Sequence, residues 1–194
     1  MYITIEGIDT SGKSTQIAAL REHFPDAIIT KEPGGTALGK EIRTIVLSAK
    51  AKSKKAEFLL FLADRAEHIQ EIIEPNKTKM IISDRSAVSG VAYALIQGEI
   101  SETAIVHLNR FATNGIYPEK VFLLKLTKEE LEYRLSQKEL DGIELRGSTY
   151  LLEIQNAIIK AAKLLQIECV EIDATQDRES ITQQILNNMK DKND

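Results

Sequence analysis

The stretch Tyr2-Ile3-Thr4-Ile5-Glu6 runs directly into Gly7-Ile8-Asp9-Thr10-Ser11-Gly12-Lys13-Ser14 near the start of the chain. The residues before Gly7 are apolar or β-branched nearly throughout, which is typical of a strand buried on both faces of a parallel sheet. The residues from Gly7 onward fit G-x-x-x-x-G-K-[ST], the pattern of a phosphate-binding P-loop, and a helical pattern follows over 13–23. A strand, this loop and a helix in that order predict a nucleoside-triphosphate site.

The residue types of the loop explain how it would bind phosphate. Glycines let the backbone curl so that successive N–H groups converge on phosphate oxygens, and the helix N-terminus adds the positive end of its dipole. We expect Lys13 to reach the β- and γ-phosphates and the Ser14 hydroxyl to ligate Mg²⁺. The residues of this segment assigned to ATP are Gly7, Ile8, Asp9, Thr10, Ser11, Gly12, Lys13, Ser14 and Thr15.

Composition and length favour one globular domain over 1–194. The 194 residues are 43% hydrophobic and 28% charged, which argues against a disordered or fibrous chain. The net charge of −4 disfavours a general nucleic-acid binder. The single cysteine, Cys169, excludes an internal disulfide framework and a thiolate-rich zinc site. A signal peptide and a membrane-length apolar stretch are both missing, so we expect a cytoplasmic protein without a membrane partner.

Short apolar runs alternate with longer helical patterns, which indicates an α/β fold with a five-stranded parallel sheet and helices on both faces. The predicted strands cover 2–6, 27–30, 80–83, 120–126 and 168–172. The predicted helices cover 13–23, 37–47, 56–73, 87–97, 102–112, 128–138, 150–166 and 180–189. Thr127 is predicted to cap the helix that begins at 128, with Glu130 as its capping-box partner. The segment 137–148 fits neither period and is predicted to be a functional loop.

The third predicted strand is followed by one acid and one base, Asp84-Arg85. A GTPase would need Asn-Lys-x-Asp after a strand, whereas the segment 76–79 reads Asn-Lys-Thr-Lys and precedes one. A motor or remodelling ATPase would usually show two acids at the end of this strand. Asp84 suits a contact with Mg²⁺ or its water, and Arg85 suits a phosphate. An arginine beside the metal acid favours an enzyme that holds a second phosphorylated molecule next to ATP.

Further polar residues follow the second predicted strand, and one arginine lies on the apolar face of the third predicted helix. Glu32-Pro33-Gly34-Gly35-Thr36 makes a rigid turn before a helix that carries Arg43, although such a turn can also be an ordinary helix-capping loop. Phe61 and Arg65 share one helix face with the apolar residues Phe58, Leu62, Ala66 and Ile69. Phe61 alone could be a core residue. An arginine on that face needs a buried partner, for which a planar base is one candidate.

In combination these motifs resemble the thymidylate kinase family of P-loop nucleoside-monophosphate kinases over essentially the whole chain. The matching segments are Ile5-Glu6-Gly7 running into the P-loop, Glu32-Pro33-Gly34-Gly35-Thr36, Ala56-Glu57-x-x-x-Phe61-x-x-x-Arg65, Asp84-Arg85-Ser86, Ser89-Gly90-Val91-Ala92-Tyr93 and Ile172-Asp173-Ala174-Thr175-Gln176. The resemblance implies a three-layer α/β/α fold with a short lid over 137–148. It also implies a homodimer formed by helices that pack face to face.

The activity implied by the resemblance is transfer of the γ-phosphoryl group from ATP·Mg²⁺ to dTMP, a step of dTTP biosynthesis. The residues it assigns to dTMP are Asp9 at the 3′-hydroxyl, Phe61 stacked on thymine, Arg65 at a thymine oxygen, Arg43 and Arg85 at the phosphate, Ser89 at the base edge, Tyr93 at the sugar's 2′ side, and Glu32. Thr175 and Gln176 would flank adenine, and Ser14 and Asp84 would hold the metal. Lys13, Arg85, Arg134 and Asp9 are the implied catalytic residues.

Two departures from the family pattern leave the cation of the transition state open. The P-loop position that carries arginine in some relatives is Thr10, and the lid reads Asp141-Gly142-Ile143-Glu144 where many relatives have an arginine. Arg134, Lys138 and Arg146 are the candidates, with Arg134 favoured and also assigned to ATP. The alternative for Arg134 is a surface salt bridge with Glu130, four residues earlier.

Two other functions stay open on the residues alone. One is a kinase for another nucleotide or small metabolite, because Phe61 and Arg65 favour a planar acceptor without identifying it. The other is a nucleotide-dependent switch or assembly ATPase, which Asp84-Arg85 and the missing guanine motif disfavour. Release of ADP with a panel of nucleoside monophosphates would separate these classes.

Overall fold

The computed structural model describes residues 1–48, 51–137, 139 and 146–189. Its sheet has five strands, all paired in parallel, in the order β2-β3-β1-β4-β5. This confirms the predicted five-stranded parallel sheet. The strands are β1 (Tyr2–Glu6), β2 (Ile28–Lys31), β3 (Ile81–Asp84), β4 (Lys120–Lys125) and β5 (Glu168–Asp173).

Polar side chains cap the starts of several helices in the described chain, among them Thr127, the cap that the sequence predicts. Thr36, Ser53, Ser86, Ser101 and Thr127 each accept a backbone N–H at a helix start through the side-chain oxygen. The α-helices are α1 (Lys13–His23), α2 (Ala37–Leu47), α3 (Lys54–His68), α4 (Ala87–Gln97), α5 (Glu102–Thr113), α6 (Lys128–Ser136), α7 (Ser148–Leu164) and α8 (Arg178–Met189).

The sheet lies between two layers of helices. Right-handed crossovers between parallel strands put α3, α4, α5 and α7 on one face of the sheet and α1 on the other, where α8 packs against α1. The central strand β1 is wholly buried, with Ile3 and Ile5 at 0% exposure, so the P-loop that follows it starts from the rigid middle of the molecule. The three-layer α/β/α fold is as predicted.

The predicted helix 56–73 differs from the structure. Helix α3 ends at His68, and a π-helical turn (Ile69–Ile73) and a 3₁₀ turn (Glu74–Asn76) follow it. Pro75 has no backbone N–H to continue a helical ladder, which explains why only a short 3₁₀ turn forms at this point. Ala66, predicted on the buried stripe of this helix, is exposed, whereas Phe58, Leu62 and Arg65 on the stripe are buried.

Several other predicted bounds differ from the observed ones by one or two residues. Helix α6 ends at Ser136, and Lys138, the predicted last residue of this helix, lies outside the described residues. Most of the predicted lid, at positions 138 and 140–145, also lies outside them, as does the tail 190–194. None of the helices in the described part of the chain is long and apolar enough to span a bilayer.

Candidate active site

The P-loop connects β1 to α1 through two glycines with positive φ. At Gly7, φ is 151°, and a Cβ there would lie 2.5 Å from the hydroxyl oxygen of Ser11 and 3.0 Å from the carbonyl oxygen of Leu124. Gly12, at φ 94°, is the left-handed residue from which α1 begins. Both positions favour glycine because φ is positive, and at Gly7 a side chain would also lack space. The curl brings the start of α1 to the carboxyl end of the sheet.

Lys13 lies inside this curl. Its Nζ donates to the carbonyl oxygens of Gly7 and Ile8, both at 3.0 Å, and lies 3.8 Å from Oδ1 of Asp9. Burial lowers the pKa of the Lys13 amine to about 8. The ammonium is thus held inside the loop at the start of α1, and a glycine-rich loop that opens a helix is an arrangement that binds phosphate.

Arg85 joins the end of β3 to the P-loop. Its Nη2 donates to Oδ1 of Asp9 at 2.8 Å, and its Nη1 donates to the hydroxyl of Ser89 at 3.1 Å. The backbone of Arg85 adopts a positive φ of 67°, a costly conformation for a long side chain. Three predicted site residues are therefore brought together: Asp9 of the P-loop, Arg85 directly after β3, and Ser89 of α4.

A buried carboxylate that sequence reasoning did not assign, Glu6, lies beneath this group. Its two oxygens accept the hydroxyls of Ser86 at 2.9 Å and Ser89 at 2.5 Å, and burial raises the pKa of the Glu6 carboxyl. Ser86 is also the cap of α4, so Glu6 fixes the start of the helix that carries Ser89. An acid within an otherwise apolar buried strand was the available signal for this residue.

Arg65 finds its buried partners inside the protein. Its Nε donates to Oε2 of Glu32 at 2.9 Å, and its Nη1 donates to Oδ1 of Asn109 on α5 at 2.8 Å. These contacts hold the pKa of Glu32 below its usual range despite complete burial. A Cβ at Gly90 would lie 2.6 Å from Nη2 of Arg65, so a glycine there leaves room for the guanidinium. A planar base is not required to compensate this charge.

His68 and Asp64 complete the support of the turn at 32–36, and sequence reasoning assigned a role to neither. Nδ1 of His68 lies 2.9 Å from Oε1 of Glu32, and Nε2 lies 2.7 Å from the hydroxyl oxygen of Thr30. Oδ1 of Asp64 accepts the backbone N–H of Gly34 at 2.9 Å. Helix α3 thus presents Asp64, Arg65 and His68 toward the turn that follows β2.

A cavity of about 250 Å³ opens between α3, α4 and this turn. Phe61 and Tyr93 line it from facing helices, and burial raises the pKa of Tyr93 to about 12, so its hydroxyl is neutral. Arg43, whose Nη1 donates to the carbonyl of Pro33 at 3.0 Å, lies at its edge. The predicted acceptor residues that line it are Asp9, Glu32, Arg43, Phe61, Arg65, Arg85, Ser89 and Tyr93.

A second cavity of about 510 Å³ lies over the P-loop. Ser14 and Asp84, the predicted metal residues, both line it. Oδ1 of Asp84 is buried and has no hydrogen-bond partner, which fits an oxygen that takes a cation or its water. Within the described residues no cluster of three or more acidic, histidine or cysteine side chains could hold a metal ion. Mg²⁺ commonly uses only one or two carboxylates together with substrate phosphates.

Arg134 connects α6 to the P-loop and to the turn that follows β5. Its Nε donates to Glu130 at 2.6 Å, its Nη1 to the carbonyl of Thr10 at 3.0 Å and its Nη2 to the carbonyl of Ala174 at 2.7 Å. The predicted capping box is therefore only half formed: the N–H of Glu130 binds Thr127, but the Glu130 carboxylate binds the charged guanidinium instead of a backbone N–H.

The other residues that were predicted to bind ATP or to supply the catalytic cation contact different neighbours and do not form one group. Thr175 donates its N–H and hydroxyl to Oδ1 of Asp173, at 3.0 and 2.7 Å, and Gln176 accepts a hydrogen bond from Gln184. The guanidinium of Arg146 lies on the ring of Tyr150, 5.0 Å from its centroid, and donates to its hydroxyl. Lys138, the third candidate cation, lies outside the described residues.

A parallel sheet in this order, a P-loop and an adjoining cavity lined by arginines are the features expected of a P-loop kinase. The family model for thymidylate kinase matches residues 5–185, and the chain belongs to the thymidylate kinase family.

Individual relatives agree with this assignment. The chain is 79% identical over 189 residues to the thymidylate kinase of Sulfurimonas denitrificans, covering 97% of this chain and 99% of that one. It is 55% identical over 185 residues to that of Aliarcobacter butzleri, covering 95% and 96%. The solved structure of thymidylate kinase from Ehrlichia chaffeensis superposes with a TM-score of 0.75 at 28% identity, covering 97% of each chain. The resemblance read from the motifs is confirmed.

Proposed function

We propose that this chain transfers the γ-phosphoryl group of ATP to the phosphate of dTMP, giving ADP and dTDP for dTTP synthesis. The observation that carries the proposal is the shared wall of the two cavities. Asp9, Glu32, Arg43 and Arg85 line both the cavity over the P-loop and the cavity between α3 and α4. Two phosphorylated substrates placed in these cavities would meet at Arg43 and Arg85.

The acceptor cavity has the chemistry for a thymine deoxynucleotide. Phe61 offers a ring for stacking, Arg65 a donor for a base oxygen, and Ser89 a hydroxyl beside the base edge. Tyr93 would occupy the space of a 2′-hydroxyl, and Asp9 would accept the 3′-hydroxyl. Glu32 would act by holding Arg65 in place.

The donor cavity has the chemistry for ATP. Lys13 and the backbone of 7–15 would bind the triphosphate, while Arg134 and the segment 173–176 would lie at the adenine side. Ser14 and Asp84 would hold Mg²⁺, which supplies charge neutralisation for the phosphates when bound. Catalysis then consists of positioning two polyanions in line and compensating their charge, with Lys13 at the donor phosphates and with Arg43 and Arg85 between the two cavities.

A homodimer is part of the proposal. Helices α3 and α5 pack against each other and carry exposed apolar side chains, including Leu59 at 56% exposure and Phe111 at 84%. A second copy that covers this face would bury them. Light scattering should therefore give twice the mass of one chain.

The deciding experiment measures ADP release from ATP·Mg²⁺ in the presence of one monophosphate at a time: dTMP, dUMP, ribothymidine monophosphate, AMP, CMP or GMP. We expect dTMP to give the highest kcat/KM. Preference for another monophosphate would mean that the protein is a kinase with a different acceptor. Slow release unaffected by every monophosphate would contradict the kinase and favour a nucleotide-dependent switch.

A further inference from the structure

Lys31 is the last residue of β2 and lies beside the proposed metal side of the donor cavity. Its Cα pairs in register with that of Asp84 at the end of β3. Its side chain is exposed, and Glu32 directly after it begins the turn that supports Arg65. Because the strands are parallel, Lys31 and Asp84 end at the same edge of the sheet, over the P-loop.

The two cavities place Lys31 on the donor side. Lys31 lines the cavity over the P-loop together with Lys13, Ser14 and Asp84. It is not among the described residues that line the acceptor cavity, whereas Arg43 and Arg85 line both. Lys31 therefore belongs to the wall of the proposed donor cavity and not to that of the proposed acceptor cavity.

The other cations of this cavity are already engaged. Lys13 donates to two P-loop carbonyls, Arg43 donates to Pro33, and Arg85 pairs with Asp9. Within the part of the chain that the structure describes, Lys31 is the one cation lining this cavity that has no hydrogen-bond or ion-pair partner. An uncommitted ammonium can turn toward a polyanion without breaking a hydrogen bond or ion pair, so only the ordering of its side chain opposes the movement.

Phosphoryl transfer places charge on the equatorial oxygens of the moving group, and a cation there can contribute a large part of the rate. Arg134 already uses three of its five N–H donors, because its Nε, Nη1 and Nη2 bind Glu130, Thr10 and Ala174. Lys31 has three N–H donors and no competing acceptor.

We propose that Lys31 is a catalytic residue that donates to the γ-phosphoryl oxygens of the donor nucleotide during transfer. This inference rests on the proposed kinase function. Lys31 keeps its proton throughout: the bond from the γ-phosphorus to the bridging oxygen of ATP breaks, the bond to the acceptor phosphate oxygen forms, and the ammonium only compensates charge.

Three variants test the proposal. Lys31→Gln removes the charge, Lys31→Arg keeps it, and Lys40→Gln is the matched control. Lys40 is another exposed lysine, on α2; it lines the neighbouring groove together with Lys31 but does not line the cavity over the P-loop. Steady-state kinetics gives kcat and the KM for dTMP, and calorimetry gives the affinities for ATP·Mg²⁺ and ADP·Mg²⁺ separately.

We expect Lys31→Gln to lower kcat at least about tenfold, with the KM for dTMP within about twofold. Affinity for ATP should fall while affinity for ADP, which lacks the γ-phosphate, stays within about twofold. Lys31→Arg should restore most of kcat, and Lys40→Gln should match the wild type. Melting curves should coincide, because Lys31 makes no contact that folding depends on; if Lys31→Gln failed to fold, Lys31→Met would repeat the test.

Two results would overturn the inference. An unchanged kcat with an unchanged ratio of ATP to ADP affinity removes Lys31 from the reaction. A raised KM for dTMP with a constant kcat would mean that Lys31 binds the acceptor and not the donor. If the wild-type protein phosphorylated no monophosphate, the proposed function would fail on its own, and the comparison of ATP with ADP would still decide whether Lys31 binds the γ-phosphate.

Discussion

Nη2 of Arg85 donates to Oδ1 of Asp9 at 2.8 Å, which joins the end of β3 to the P-loop across 76 residues of sequence. The same guanidinium donates to Ser89, whose hydroxyl is held by the buried Glu6. Arg85 is therefore oriented from two sides before any substrate phosphate is bound. Such preorganisation reduces the ordering that binding would otherwise require.

Arg85→Ala should weaken dTMP binding much more than thymidine binding. The guanidinium is proposed to bind the acceptor phosphate, and a hydrogen bond to a charged group contributes about 1.5–3 kcal/mol, or roughly 10- to 150-fold in Kd. Calorimetry with dTMP and with thymidine measures the difference, because thymidine lacks the phosphate. Equal losses for both ligands would mean that Arg85 shapes the base cavity instead.

Phe61→Ala should weaken the binding of thymidine and dTMP alike, by about 1–3 kcal/mol, the usual contribution of base stacking on an aromatic ring. Phe61 is only half-buried and lines the acceptor cavity, so its loss should leave the melting temperature close to that of the wild type. A large drop in melting temperature with unchanged affinity would assign Phe61 to the core.

The regular elements were predictable because their signals are local. Helices α1, α2 and α4 have the predicted bounds, since a left-handed glycine or a capping hydroxyl marks each start. The support of the site was not predictable to the same extent. Glu6, His68 and Asn109 act through partners 30 or more residues away, and only the folded sheet shows which polar side chains are buried together.

ATP binding should become weaker as pH rises through about 8. Burial lowers the pKa of Lys13 to about 8, and phosphate oxygens beside the ammonium would raise it again. Above pH 8 the free protein has lost this proton while the complex retains it, so binding must take up a proton. Calorimetry at pH 8.5 in two buffers of different ionisation enthalpy should show that uptake, and Lys13→Met should not show it.

Asp64→Asn should stabilise the protein at pH 7.5. Burial raises the pKa of Asp64 from 3.8 to about 6, so its ionisation opposes folding above pH 6. The folded state binds more protons than the unfolded state between these values, and wild-type stability therefore falls as pH rises from about 4 to 6. The variant keeps an acceptor for the N–H of Gly34 without the charge.

The expected gain is on the order of 1–3 kcal/mol at pH 7.5 and disappears toward pH 4. Urea unfolding of both proteins at these two values measures it. A gain that is the same at both pH values would show that the charge of Asp64 is not its source.

Arg134 is bound to the P-loop carbonyl of Thr10 and to Ala174, beyond its pair with Glu130, so it is more than an isolated surface salt bridge. Glu130→Ala removes the ion pair and leaves the arginine, which makes it the matched control. If Arg134 serves catalysis, Arg134→Ala should lower kcat at least about tenfold, with the KM for dTMP little changed. A tenfold loss corresponds to an activation barrier about 1.36 kcal/mol higher. Glu130→Ala should then keep kcat within about twofold. Equal kinetics for the two variants would mean that Arg134 acts only through its salt bridge. Normal activity of Arg134→Ala together with loss of activity in Arg146→Ala would assign the catalytic role to Arg146.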